Sequence, residues 1–201
     1  HLISTGFTPD FDIYFAFGYN EEVGSGIGEQ SAAWKAAHLL EERGIRFGGI
    51  FDEGSGIAID KAIGAETPTV TITLGEKGYA DFEISRQDAG GHSAMPGKQG
   101  ALWYVAKAIE AIEDNQYPFR ITEGVDKKYK ALARYIKDEH LKEVYGDLAG
   151  HWDEALKMIE ADKAMACMFH TTMAVTMAHG SAKANILPED AAITVNCRLL
   201  E

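Results

Sequence analysis

Cysteine and positive charge are scarce in this chain, and long apolar runs are missing. Cys167 and Cys197 are the two cysteines in 201 residues. They form no CxxC pair and no finger-like spacing, which excludes a cysteine zinc finger. Two lone thiols fit a reducing compartment, and a cytoplasmic location is the expectation. Basic residues number 19 against 31 acidic ones, a net charge of −12. Phosphate contacts need a basic face, so non-specific nucleic-acid binding is excluded as a function class. An anionic membrane surface is disfavoured for the same reason. No apolar run reaches the roughly 18 residues of a membrane span. The 21 glycines have no three-residue period, which excludes collagen. His1-Leu2-Ile3 has no basic n-region and no long apolar h-region, so no signal peptide is expected in this stretch. There is no initiator Met, and a piece cut from a longer protein is expected.

What is present is ordinary globular material, with 46% hydrophobic and 25% charged residues. The length allows a sizeable core and one to two domains. Phe11 to Gly18 is an apolar, aromatic run that reads as a buried strand. Ser25 to Arg43 has helical spacing and a stop at Gly44. Phe47 to Phe51 reads as a second strand, and strand–helix–strand implies a parallel sheet. Thr69 to Leu74 is β-branched and reads as another strand. From Gly75 the pattern changes. Ala80, Phe82 and Ile84 alternate with Asp81, Glu83 and Ser85, as in an antiparallel strand with one solvated face. Helices are predicted over about 100–114, over 126–144 with Asp126 as cap, and over about 153–161. Two further strands are predicted over 171–178 and 191–200. Residues 1–75 therefore read as an α/β part, and 76–201 as an antiparallel sheet backed by helices.

Some polar residues stand where chemistry is possible. Glu21-Glu22 follows the first predicted strand, and ligands gather at the ends of parallel strands. One carboxylate there could bind a cation while its neighbour accepts a proton from metal-bound water. Seven adjacent acidic pairs occur in the chain, so adjacency alone carries no signal. Asp52-Glu53 follows the next strand and would lie on the same sheet edge. A solvated loop with a capping acid is the bland alternative for that pair. His92 stands in a glycine-flanked turn, where a neutral ring could donate to a developing oxyanion. Most lone loop histidines do nothing of the kind. Asn185 and Arg198 are the remaining polar candidates. Arg198 could fork onto a carboxylate, although the alternation favours a plain surface residue.

Six segments, FAFGYNEEVGSG, IFDEG, GEKGYADFEI, GGHSAMP, GSAKANILP and VNCRLL, occur in the order found in the M20 metallopeptidases. The chain resembles that family, with a flavour closest to its carboxypeptidase S and N-acyl-amino-acid hydrolase branch. The resemblance implies a partial parallel-sheet catalytic domain over 1–75. It also implies an inserted, ferredoxin-like α+β lid, the dimerisation domain, over 76–201. By the same resemblance, Glu21 is the general base and Glu22 a zinc ligand. Asp52 or Glu53 is another ligand, with Asp52 slightly preferred. His92 reaches the partner subunit's active site to steady the oxyanion. Asn185 and Arg198 hold the substrate, with the Arg on its carboxylate. Two Zn2+ ions per complete site, a small-peptide or N-acyl-amino-acid substrate, and a homodimer through the lid are implied.

The upstream His-x-Asp ligand segment of that family, its bridging Asp and its late His have no counterpart here. Two carboxylate ligands without imidazole bind zinc weakly. The expectation is a hydrolase parent and a chain inactive by itself. A non-catalytic dimerisation or binding module is the alternative. Deacetylation of a small metabolite on the same fold is a third reading.

Overall fold

The alternation around Ala80 to Ser85 becomes a long strand because a neighbour of the same period lies beside it. The computed structural model describes residues 3–20, 31–53, 56–59, 67–70, 72–73 and 75–200. They belong to two units, His1–Glu53 and Gly54–Glu201.

In the first unit, α1 spans Ala32–Glu42. Ser31 caps it, its hydroxyl accepting from the Trp34 amide at 3.3 Å. Asn20 adds a second cap, its Oδ1 accepting from the Ala32 amide at 3.0 Å. Gly44 stops the helix at φ 72°. Of the helix expected from Ser25, residues 25–30 lie outside the described residues. The strands expected over 11–18 and 47–51 are not strands. A strand exists by pairing with a neighbour, and apolar composition alone does not supply one. Both runs are strongly exposed, Phe17 at 91% and Phe51 at 99%. Among the described residues no parallel pairing occurs.

The second unit begins with a short antiparallel pair, β1 (Ile57–Ala58) with β2 (Thr69–Val70). Thr71 and Leu74, within the expected strand 69–74, lie outside the described residues. Its centre is an antiparallel sheet in the order β3-β7-β5, with β3 at Gly78–Gln87, β5 at Thr172–His179 and β7 at Asp190–Leu199. β3 pairs along its whole length, Gly78 opposite Leu199 through Gln87 opposite Asp190. One sheet face packs on α2 (Ala101–Asp114). Ala101, Val105, Ile193, Val195 and Cys197 are buried there, with Ile109, Ile112 and Val175 packed against them. Each large apolar side chain so buried contributes about 1.5–3 kcal/mol. The other face carries Tyr79, Asp81, Glu83, Asn196 and Arg198, as the period-2 pattern requires.

Between α2 and β5 lies a helical layer with its own core. The single helix expected over 126–144 is two, α3 (Glu123–Ala133) and α4 (Glu139–Gly146). The break has a local cause. Asp138 turns its carboxylate onto the Leu141 amide at 2.9 Å and so caps a new helix. Thr122, not Asp126, caps α3. α5 (Trp152–Ala161) and a one-turn α6 (Lys163–Ala166) complete the layer. Tyr129, Tyr145, Leu148, Ile159 and Phe169 are fully buried in it. Two ties fasten this layer to the sheet. The Gln116 carboxamide donates to the Met173 carbonyl at 3.2 Å and accepts from its amide at 3.3 Å. Lys77 donates to the carbonyls of Cys167 and His170 at 2.7 and 2.6 Å.

Candidate functional site

Past the Gln87–Asp190 pair, the β3–β7 ribbon continues as a second, two-residue ladder. β4 (Gly91–His92) pairs with β6 (Ile186–Leu187), placing His92 opposite Ile186. Gly90 makes this approach possible. It sits at φ 64°, and a Cβ there would come within 2.5 Å of the Glu189 side chain. The Ser93 amide then donates to the Asn185 carbonyl at 3.1 Å. Thus His92 and Asn185, far apart in sequence, stand side by side on two hydrogen-bonded loops.

The His92 ring is exposed, and its Nδ1 accepts the Ala94 amide at 3.1 Å. With Nδ1 as acceptor, the neutral ring carries its proton on Nε2. An outward Nε2–H is the donor an oxyanion needs. The Asn185 carboxamide is exposed and makes no hydrogen bond among the described residues.

Arg198 lies near the opposite end of β7, between Tyr79 of β3 and Thr172 of β5. Its guanidinium carbon is 4.6 Å from the Tyr79 ring centroid. The Tyr79 hydroxyl donates to Asp81 Oδ2 at 2.8 Å, and Asn196 Nδ2 donates to Asp81 Oδ1 at 2.8 Å. The hydrogen bonds from Asn196 and then Tyr79 hold the Asp81 carboxyl below its usual range. The bond to Asp81 raises the Tyr79 phenol. Lys77, close enough to feel Arg198, is shifted down chiefly by burial. Sequence alternation put Asp81 on the solvated face. The cluster itself shows only once β3 and β7 are set in register.

From Asp190 to Arg198 the strand covers roughly 27 Å, at about 3.4 Å per residue. His92 and Asn185 lie beyond the Asp190 end. A small substrate cannot touch both groups within one chain. The polar face near Asp190 is lined by Glu83, Asp88, Glu189, Asp190 and His179. Those carboxylates repel an anion, whereas Arg198 and Lys77 attract one.

Glu21 and Glu22 lie outside the described residues. Asp52 and Glu53 are described and exposed. Among the described residues, no three His, Cys, Asp or Glu gather in a way that could hold a metal ion. The described carboxylates therefore do not by themselves fit a zinc centre.

The sequence model of the peptidase dimerisation domain of the M20 family matches residues 74–201. An N-fatty-acyl-amino acid synthase/hydrolase PM20D1.1 of Danio rerio is 28% identical over 99% of this chain and 38% of its own length. Carboxypeptidase S of Saccharomyces cerevisiae is 30% identical over 98% of this chain and 35% of its own. A probable carboxypeptidase S-like 2 of Dictyostelium discoideum is 28% identical over 99% of this chain and 38% of its own. The chain thus spans little more than a third of these relatives. No solved structure matches it significantly. Its antiparallel sheet backed by α2 fits the matched domain, and so the chain belongs to the M20 peptidase family and carries that family's dimerisation domain.

Proposed function

We propose that this chain is part of a zinc-dependent amidohydrolase that cleaves small peptides or N-acyl amino acids, with each active site completed by the partner's lid. The separation of Arg198 from His92 carries the reading. A substrate whose carboxylate sits on Arg198 of one chain needs a second chain to bring up His92 and Asn185. Residues 1–75 contribute to the catalytic part and 76–201 form the lid. The names of the zebrafish and yeast relatives, an N-fatty-acyl-amino acid hydrolase and a carboxypeptidase, both fit a substrate ending in a free carboxylate.

The chain's residues divide the work. Arg198 forks onto the carboxylate. Asn185 offers its free carboxamide to the acyl or peptide portion. Glu21 takes a proton from the attacking water and passes it to the leaving nitrogen. The His92 Nε2–H steadies the tetrahedral oxyanion. Enzymes of this family are generally zinc-dependent. Glu22, with Asp52 or Glu53, supplies carboxylate donors toward two Zn2+ ions in the complete protein. Bound zinc supplies carbonyl polarisation and a more acidic water. With two ligand positions of its own, the chain as given is proposed to be inactive or nearly so. Its unpaired thiols, Cys167 exposed and Cys197 buried, fit a reducing, cytoplasmic setting.

Hydrolysis of N-acyl amino acids, measured with zinc content, tests this reading. The complete protein should turn over, and Glu21→Gln should lower kcat about 10²–10⁴-fold. Stoichiometric zinc and clear turnover by the 201-residue chain alone would contradict the proposal that this chain is inactive by itself. The family match covers the dimerisation domain, so a non-catalytic dimerisation module is the second reading. A dimeric complete protein without hydrolytic turnover would favour it.

A further inference from the structure

The geometry points to Tyr79, backed by Asp81 and Asn196, as a positioning group that holds the Arg198 guanidinium ready for a substrate carboxylate. It rests on reading Arg198 as the carboxylate anchor. An arginine on an open strand loses rotamer freedom when it binds, and that cost weakens affinity unless the side chain is already ordered. Here the guanidinium lies over the Tyr79 ring at 4.6 Å from its centroid. A guanidinium held over an aromatic face uses no hydrogen-bond acceptor, which leaves its N–H donors for a carboxylate. Among the described residues the Arg198 side chain makes no hydrogen bond and no ion pair.

Asp81 is the carboxylate best placed to spoil this arrangement. Both its oxygens are engaged, Oδ2 by the Tyr79 hydroxyl and Oδ1 by the Asn196 amide, each at 2.8 Å. Asp81 therefore fixes the ring beneath Arg198 without forking onto the guanidinium itself. The strand register sets the whole cluster, with Tyr79 opposite Arg198 and Asp81 opposite Asn196 on one face. Tyr79 is 51% exposed, so replacing it leaves the core intact.

The test uses the 201-residue chain and NMR. The side-chain Nε–Hε signal of Arg198 should show an ordered heteronuclear NOE. Tyr79→Ala should reduce it toward the value of a free side chain, and Tyr79→Phe should keep it. N-acetyl-leucine and N-acetyl-leucinamide serve as probes with and without the carboxylate. Tyr79→Ala should weaken binding of the acid about two- to five-fold and leave the amide unchanged. Tyr79→Phe should retain most of the affinity. An equally ordered Arg198 in Tyr79→Ala, or unchanged affinity for the acid, overturns the positioning role. Arg198→Ala separates the two ideas. If it leaves binding of the acid intact, the carboxylate anchor is wrong whatever the NOE shows. If the unsubstituted chain does not distinguish acid from amide, both fall.

Discussion

The amide of Ser93 donates to the carbonyl of Asn185 over 3.1 Å, and this one bond locks together the loops that carry His92 and Asn185. Both loops depend on Gly90, whose φ of 64° and closeness to Glu189 exclude a side chain. Gly90→Val should shift β4 off β6. It should cost about 1–3 kcal/mol from the strained backbone. With His92 as the proposed oxyanion donor, kcat of the complete protein should fall more than KM rises, because His92 moves while Arg198 does not. Steady-state kinetics with denaturant unfolding checks this. Unchanged kcat would mean that His92 is not held by this ladder.

The helical layer should be as sensitive to its own core as the sheet is. Phe169 is fully buried, with its ring 5.7 Å from that of Tyr129. Phe169→Ala should cost about 3–5 kcal/mol, and Ile193→Ala under α2 about 2–5 kcal/mol. Urea unfolding measures both. Losses below 1 kcal/mol would contradict the burial described for either core.

One surface pair gives stability a pH dependence. His140 of α4 is paired with Glu154 of α5, and that hydrogen bond raises the imidazole above its ordinary value. A group raised on folding stabilises fully below its unfolded value, and that benefit is lost as pH rises through the folded one. Glu154→Gln should therefore lower Tm most below about pH 6, with the difference fading at alkaline pH. The first-turn charge of Glu154 acts on the helix dipole throughout this range, so only the pH-dependent part reports the pair. Thermal melts across pH check it. A difference that grows toward alkaline pH would be the wrong sign.

Much of the lid could be read from local pattern. Strand β3, helix α2 and strands β5 and β7 show their periods within single segments, and each forms close to the expected bounds. The stripe over 126–144 does not show the break at Asp138, because Asp138 competes for a backbone amide, a choice that apolar spacing does not register. The runs at 11–18 and 47–51 have sheet-like composition, but pairing lies outside any one segment. His92, Asn185 and Arg198 were visible as residue types. Their grouping was not, because a two-residue ladder has no periodic signature and the Tyr79–Arg198 contact depends on cross-strand register.

The proposed sharing of each active site between two chains is tested most directly by mixing subunits. In the complete protein, His92→Ala and Arg198→Ala are each expected to be nearly inactive. Dissociated, mixed and reassociated, the two variants form mixed dimers in which one site takes Arg198 from one chain and His92 from the other. About a quarter of the unsubstituted activity should return under random reassociation. Mixtures no more active than the separate variants, in dimers shown to have exchanged subunits, would contradict a site built across two chains.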